Sequence, residues 1–207
     1  MADSAATPEA LPVGAIGTKA TGWWAMIFIV FTEASLFAYL LFSYYYLAAQ
    51  PHTFDTFPEG GPPSLALALP NTAILLLSSA AVAWAQFNIK HDDRSRLSVG
   101  LGVGAALGII FLVIQCFEWA GKPFTLASTP YSSLYFTVTG FHMAHVALGV
   151  VLLAALFVWS LMGYFNKVRY EHIHIGALYW HFVDAVWITV FFTFYITPLF
   201  GLRGSPS

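Results

Sequence analysis

The sequence predicts an all-α fold: a polytopic membrane protein built as a bundle of five transmembrane helices, N-terminus inside and C-terminus outside. Three observations predict it. Of 207 residues, 58% are hydrophobic and only 9% are charged, whereas a soluble domain carries about 25% charged residues. Five stretches, 23–49, 70–88, 97–119, 132–162 and 176–198, are apolar over the length a helix needs, about 20 residues for a hydrocarbon core of about 30 Å. All eight Lys and Arg lie outside those stretches. The same composition excludes a disordered chain, and a net charge of −2 leaves no basic face for a nucleic acid. Cys116 stands alone, so no internal disulfide can form.

Residues 1–22 are polar and rich in Ala, Pro and Gly. They lack the basic start and apolar core of a signal peptide and are expected to form a flexible N-terminal extension. The domain proper is expected over 23–198, with a tail over 199–207. Trp23 and Trp24 open the first span, and Tyr44, Tyr45 and Tyr46 lie near its end, where interfacial anchors sit. The second span follows a Pro- and Gly-bearing connector. In the third, Gly100, Gly104 and Gly108 recur every four residues, so one helical face is small throughout and suits close packing. The run SVGLGVGAALG is no nucleotide loop, because no strand precedes it and no phosphate-binding Lys follows. The fourth span exceeds what a bilayer needs and should tilt or protrude. The fifth carries aromatic bulk around its circumference, which suggests contact with both protein and lipid. Its preceding connector, 163–174, is expected as a loop holding His172 and His174.

Orientation follows from the cations, since Lys- and Arg-rich short loops stay inside. Lys19, Lys90, Arg94, Arg96, Lys167 and Arg169 fall on one side, and Lys122 and Arg203 on the other.

Three acids enter the spans. Glu33 lies ten residues beyond Trp23, about 15 Å deep at about 1.5 Å per residue. Asp184 lies about 12 Å into the fifth span by the same rise, and Glu118 sits at the outer end of the third, within reach of the interface. Intramembrane carboxyls usually face protein or a cavity. Glu33 reads either as a proton-active or lipid-contacting acid or as a protonated structural one. Asp184 reads as structural, with His181 three residues earlier on the same face. His142 and His145 share the same i, i+3 spacing, and His145 reaches a depth that permits a contact with Asp184. Two such histidines are short of a closed metal site, which takes three or four ligands. A haem clamp could draw only on His142 or His145 against His181, so these histidines read as satisfied buried residues. No catalytic set and no metal site emerge.

The segments FTEASLFAYLLFSYYY, LPNTAILLLSS, FEWAGKPF, STPYSSLYFTVTGFHMAHV and LYWHFVDAVWITVF, in that order, resemble subunit III of haem–copper terminal oxidases over residues 23–198. The resemblance implies a non-redox subunit of a cytochrome c oxidase or quinol oxidase, with oxidase subunits I and II as partners. It implies no cofactor on this chain, haems and copper on those partner subunits, and bound phospholipid. It also implies a contribution to assembly and to sustained proton uptake in a bacterial inner or plasma membrane. Glu33 matches the family's intramembrane carboxylate, Glu118 the acid ending the helix before GFH, and His142, His145, His181 and Asp184 the later motif positions. Longer members have seven helices, of which these five match the last. Their lipid cleft is then absent here or completed by another chain, and Trp23, Trp24 and Lys19 occupy the stretch where the family often has an Arg for headgroups. The alternatives are an accessory protein of a nitric oxide reductase, or a stand-alone transporter or proton channel using Glu33 and Asp184. Transporters commonly show internal repeats, and this sequence shows none.

Overall fold

The computed structural model describes residues 21–50, 64–91, 93–165 and 170–200. Most of the N-terminal extension, the greater part of the first connector, Lys167, Arg169 and all but the start of the tail lie outside these residues. The described chain is a bundle of five helices, α1 (Thr21–Ala48), α2 (Leu65–Lys90), α3 (Arg94–Ala120), α4 (Pro130–Leu161) and α5 (Glu171–Phe191). Each is long and apolar enough to cross a membrane. The proximal end of the bundle, below, is the one where α1 begins; the distal end is the one where α1 stops.

Local chemistry sets where the helices start and stop. The Ser64 hydroxyl accepts from the Ala66 N–H and starts α2, five residues before the apolar run predicted it. Pro70 lies inside the helix, early enough that the one backbone bond it forgoes does not end it. Asp93 caps α3 by accepting from the Arg96 N–H at 3.0 Å. Thr129 and Ser132 cap each other's backbone N–H groups at the start of α4, with Pro130 in its first turn. Gly163, at φ +73°, turns the chain just beyond α4. Helix α5 begins at Glu171, so His172 and His174 lie in its first turn and not in a loop.

Packing makes α5 central and α1 peripheral: 50% of the apolar window of α5 is buried, against 6% for α1. Helices α2 and α3 pair most extensively, α4 lies against α3 and α5, and α1 leans on α4 and α5. The glycine face explains the close approach of α3. A Cβ at Gly100 would lie 2.7 Å from the Ala85 Cβ, one at Gly104 2.6 Å from the Val82 Cγ2, and one at Gly108 2.7 Å from both Trp180 and Val150. Gly100 and Gly104 thus seat α2, while Gly108 seats α4 and α5.

The aromatic residues are sorted rather than spread. On α5, Tyr179, Trp180 and Trp187 are buried; in the turn that follows, Phe194 and Tyr195 are buried and Phe192 is exposed. Of the three tyrosines ending α1, Tyr44 is no interfacial anchor: it is buried, 4.8 Å from the Phe194 ring. Tyr45 and Tyr46 face outward. Large apolar side chains such as Phe28, Phe31, Phe42, Phe117 and Leu161 cover the outside, as suits a helix whose solvent is hydrocarbon.

Candidate functional site

The titratable side chains that the helices bring together fall mainly in three constellations. The first joins α1 to α4. Glu33, Phe37 and Tyr44 lie on the side of α1 that meets the bundle, and the Glu33 Oε2 is 3.0 Å from the His145 Nε2. The side chains keep 32% and 14% of their exposure, so the pair sits at the flank, not in the core. The His145 Nδ1–H donates to the Phe141 carbonyl at 2.7 Å, which leaves Nε2 for Glu33. One proton then lies between carboxyl and imidazole, and the pair carries no net charge in either arrangement. That neutrality is how an acid is accommodated at this depth. His145 is therefore engaged by Glu33 and not by Asp184.

The second constellation is a ladder between α2 and α5. At the proximal end the Gln86 amide donates to the His174 Nδ1 at 3.2 Å, and its Oε1 accepts from the His181 Nε2 at 3.4 Å. One rung deeper, the Ser79 hydroxyl meets the His181 Nδ1 at 2.6 Å. The Trp180 Nε1–H donates to Ser78 at 2.8 Å, and the Trp187 Nε1–H donates to Thr72 at 2.9 Å. The α2 members Thr72, Ser79 and Gln86 are spaced by seven, a repeat along one helical face that the sequence carries. Asp184 stands beside this ladder without joining it. It is 4% exposed, and neither carboxyl oxygen has a hydrogen-bond partner among the described residues. Its expected companion, His181, is taken by Ser79 and Gln86.

The third constellation closes the distal end. Glu118 is buried rather than interfacial. Its Oε1 accepts from the Lys122 Nζ at 3.1 Å, from the Tyr195 hydroxyl at 2.5 Å and more weakly from Tyr135 at 3.4 Å. Lys122 also lies 4.9 Å from the Tyr135 ring centroid. Lys122 lies two residues beyond α3 and folds back over the helix end to reach Glu118. Tyr195 arrives by a different route: a π-helical turn over Phe192–Ile196, ahead of Pro198, rotates it into the bundle.

His142 belongs to none of the three. It is fully buried, stacked on Trp187 at 4.8 Å and edged by Phe111 at 5.8 Å. Neither of its ring nitrogens has a partner among the described residues, so the reading of a hydrogen-bonded histidine is corrected to one held by aromatic packing. His142, His145 and His181 face three different surroundings, and the described residues bring no three His, Cys, Asp or Glu side chains together as a ligand set.

The family model described as cytochrome c oxidase subunit III matches residues 16–198. The chain is 33% identical to cytochrome c oxidase subunit 3 of Drosophila melanogaster over 177 residues, covering 83% of this chain and 68% of that protein. It is 32% identical to the Homo sapiens protein of that name and 33% identical to the Petromyzon marinus one, with the same coverage in each case.

Proposed function

The chain belongs to the cytochrome c oxidase subunit III family, and from that membership we propose that it forms a non-redox flank of a terminal oxidase. As a subunit III it belongs to an enzyme complex of the respiratory chain. In our reading the haems and copper sit on subunits I and II, which take electrons from cytochrome c or quinol and reduce O2 to water with proton translocation. This chain would hold phospholipid, support assembly and sustain proton uptake. We place it in a bacterial inner or plasma membrane, N-terminus inside.

The observation that carries this reading is how the bundle's titratable groups are held. Glu33 is paired with His145 at the flank, Glu118 with Lys122 at the distal end, and His181 with Ser79 and Gln86. Side chains so engaged have the character of a scaffold with one polar contact presented sideways, toward lipid or a neighbouring subunit. Isolating the complex in mild detergent tests it. Haem and copper bands that travel with the partner subunits, and oxygen consumption that decays faster in Glu33→Ala without spectral change, are expected. Haem absorbance lost from an otherwise assembled Glu33→Ala complex, or nitric oxide reduction in place of oxygen reduction, would overturn it.

A further inference from the structure

In the distal half of the bundle, α2 and α3 meet across two buried amides. Asn71 lies six residues into α2, and Gln115 lies five residues before the end of α3. Each is thus about 8–9 Å from the distal end at about 1.5 Å per residue. Both side chains are fully buried. The Asn71 Nδ2 donates to the Phe111 carbonyl and to the Gln115 Oε1, both at 3.3 Å. Those two bonds orient both amides. The Phe111 carbonyl only accepts, so the Asn71 NH2 must face it, and the Gln115 atom that takes the second hydrogen must be its carbonyl oxygen. The Asn71 Oδ1 and the Gln115 Nε2 are left over, and neither has a hydrogen-bond partner among the described residues.

A third such atom stands one turn along α3. Glu118 follows Gln115 by three residues, so the two share a helical face, and helical side chains lean back toward the preceding turn. Glu118 is 6% exposed. Its Oε1 takes Lys122 and Tyr195, while its Oε2 has no partner among the described residues. One unspent donor and two unspent acceptors are therefore buried within a turn of α3 and the part of α2 against it. Buried polar groups are strongly disfavoured when left unpaired.

We propose that these three atoms hold one structural water molecule. The water accepts the Gln115 Nε2–H, and its two hydrogens go to the Asn71 Oδ1 and the Glu118 Oε2. That makes three hydrogen bonds, the usual number for a buried water. The donor pattern selects water over an ion of similar size. A cation would face the Gln115 NH2, and an anion would face the Glu118 carboxylate and the Asn71 carbonyl. Through the water a single seam runs from the Phe111 carbonyl by way of Asn71, Gln115 and Glu118 to Lys122 and Tyr195. It ties α2 and α3 to the turn that ends α5. It also gives Glu118 a neutral donor on the oxygen that Lys122 and Tyr195 leave uncovered.

The site belongs to the packing of this chain, so it stands or falls apart from the oxidase reading. A cryo-electron-microscopy map of the intact complex, at a resolution that shows ordered water, tests it. One peak is expected within about 2.7–3.2 Å of the Asn71 Oδ1, the Gln115 Nε2 and the Glu118 Oε2. Gln115→Met keeps the side-chain length and removes the donor, and its map should lack the peak. A native map without the peak, a direct Gln115–Glu118 hydrogen bond, or a peak at the distance of about 2.3–2.6 Å that a coordinated Ca2+ keeps from its oxygens would each overturn the proposal. So would a peak that persists unmoved in Gln115→Met. If that variant does not assemble, the native map decides by itself.

Discussion

Replacing His145 with Phe leaves Glu33 in the bilayer with no partner, and the structure sets how much that should matter. The two side chains meet at 3.0 Å, with 32% and 14% of their surface exposed. At an effective dielectric constant of about 20, opposite charges at that distance attract by about 5 kcal/mol, and desolvation of both groups takes back most of it. Hydrogen bonds between membrane helices average about 0.6 kcal/mol in double-mutant cycles. The Glu33–His145 coupling should fall between these limits, at about 1–2 kcal/mol. The order of the variants is the sharper expectation. His145→Phe should cost about 2–3 kcal/mol, the range of an unpaired acid on insertion scales. Glu33→Leu removes the group that needs the partner and should cost about 1 kcal/mol or less. The double variant, apolar at both positions, should be more stable than His145→Phe alone. Unfolding of the purified complex, followed across all four proteins, measures the cycle. Strict additivity, with the double variant as poor as the sum of the singles, would refute the pairing and return Glu33 to an independent role.

Four further outcomes follow from the packing. Gly100→Ala places a methyl 2.7 Å from the Ala85 Cβ and 2.8 Å from the Ala81 carbonyl oxygen. Neither neighbour can swing away, so a loss of about 1–3 kcal/mol is expected in a thermal melt. Gly140→Ala meets Trp119 at an ordinary 3.4 Å and should stabilise by up to about 1 kcal/mol through helix propensity; a destabilised Gly140→Ala would contradict the assigned spacing. Lys122→Met strips the buried Glu118 of its cation and should cost about 3 kcal/mol or more, with Glu118→Gln restoring part of the loss in the double variant. His142→Phe removes two ring nitrogens that have no partner among the described residues while keeping the stack on Trp187. Its melt should shift by less than about 1.5 kcal/mol, and a collapse of assembly would reveal an essential contact at that ring.

Some of this was legible residue by residue. The five spans were, because crossing a bilayer depends on length and apolarity along the chain. The starts of α2 and α5 were not: Ser64 begins one helix ahead of Pro70, and Glu171 begins the other inside a polar connector, both through local backbone chemistry that an apolar window averages away. The glycine face of α3 was legible as a packing surface, but not which helices it would meet. Glu118 was misplaced at the interface because its position at a helix end says nothing about the tyrosines folding over it. Tyr195 reaches that carboxylate only because a π-helical turn changes the angular register of α5 beyond Phe191.

Sequence alone therefore determined a five-span membrane chain, cations excluded from the spans, three acids admitted, and a resemblance over 23–198 that the family match bears out. Those are one-dimensional properties: depth rises about 1.5 Å per residue and can be counted. The tertiary structure decided who meets whom. His145 and Asp184 can be assigned similar depths, yet His145 turns to Glu33 while Asp184 is buried with neither oxygen partnered among the described residues. Each residue advances about 100° around a helix, so a partner depends on how neighbouring helices are rotated and seated. That rotation is set by contacts such as Gly108 against Trp180, between residues more than seventy positions apart, and exists only once the bundle has packed.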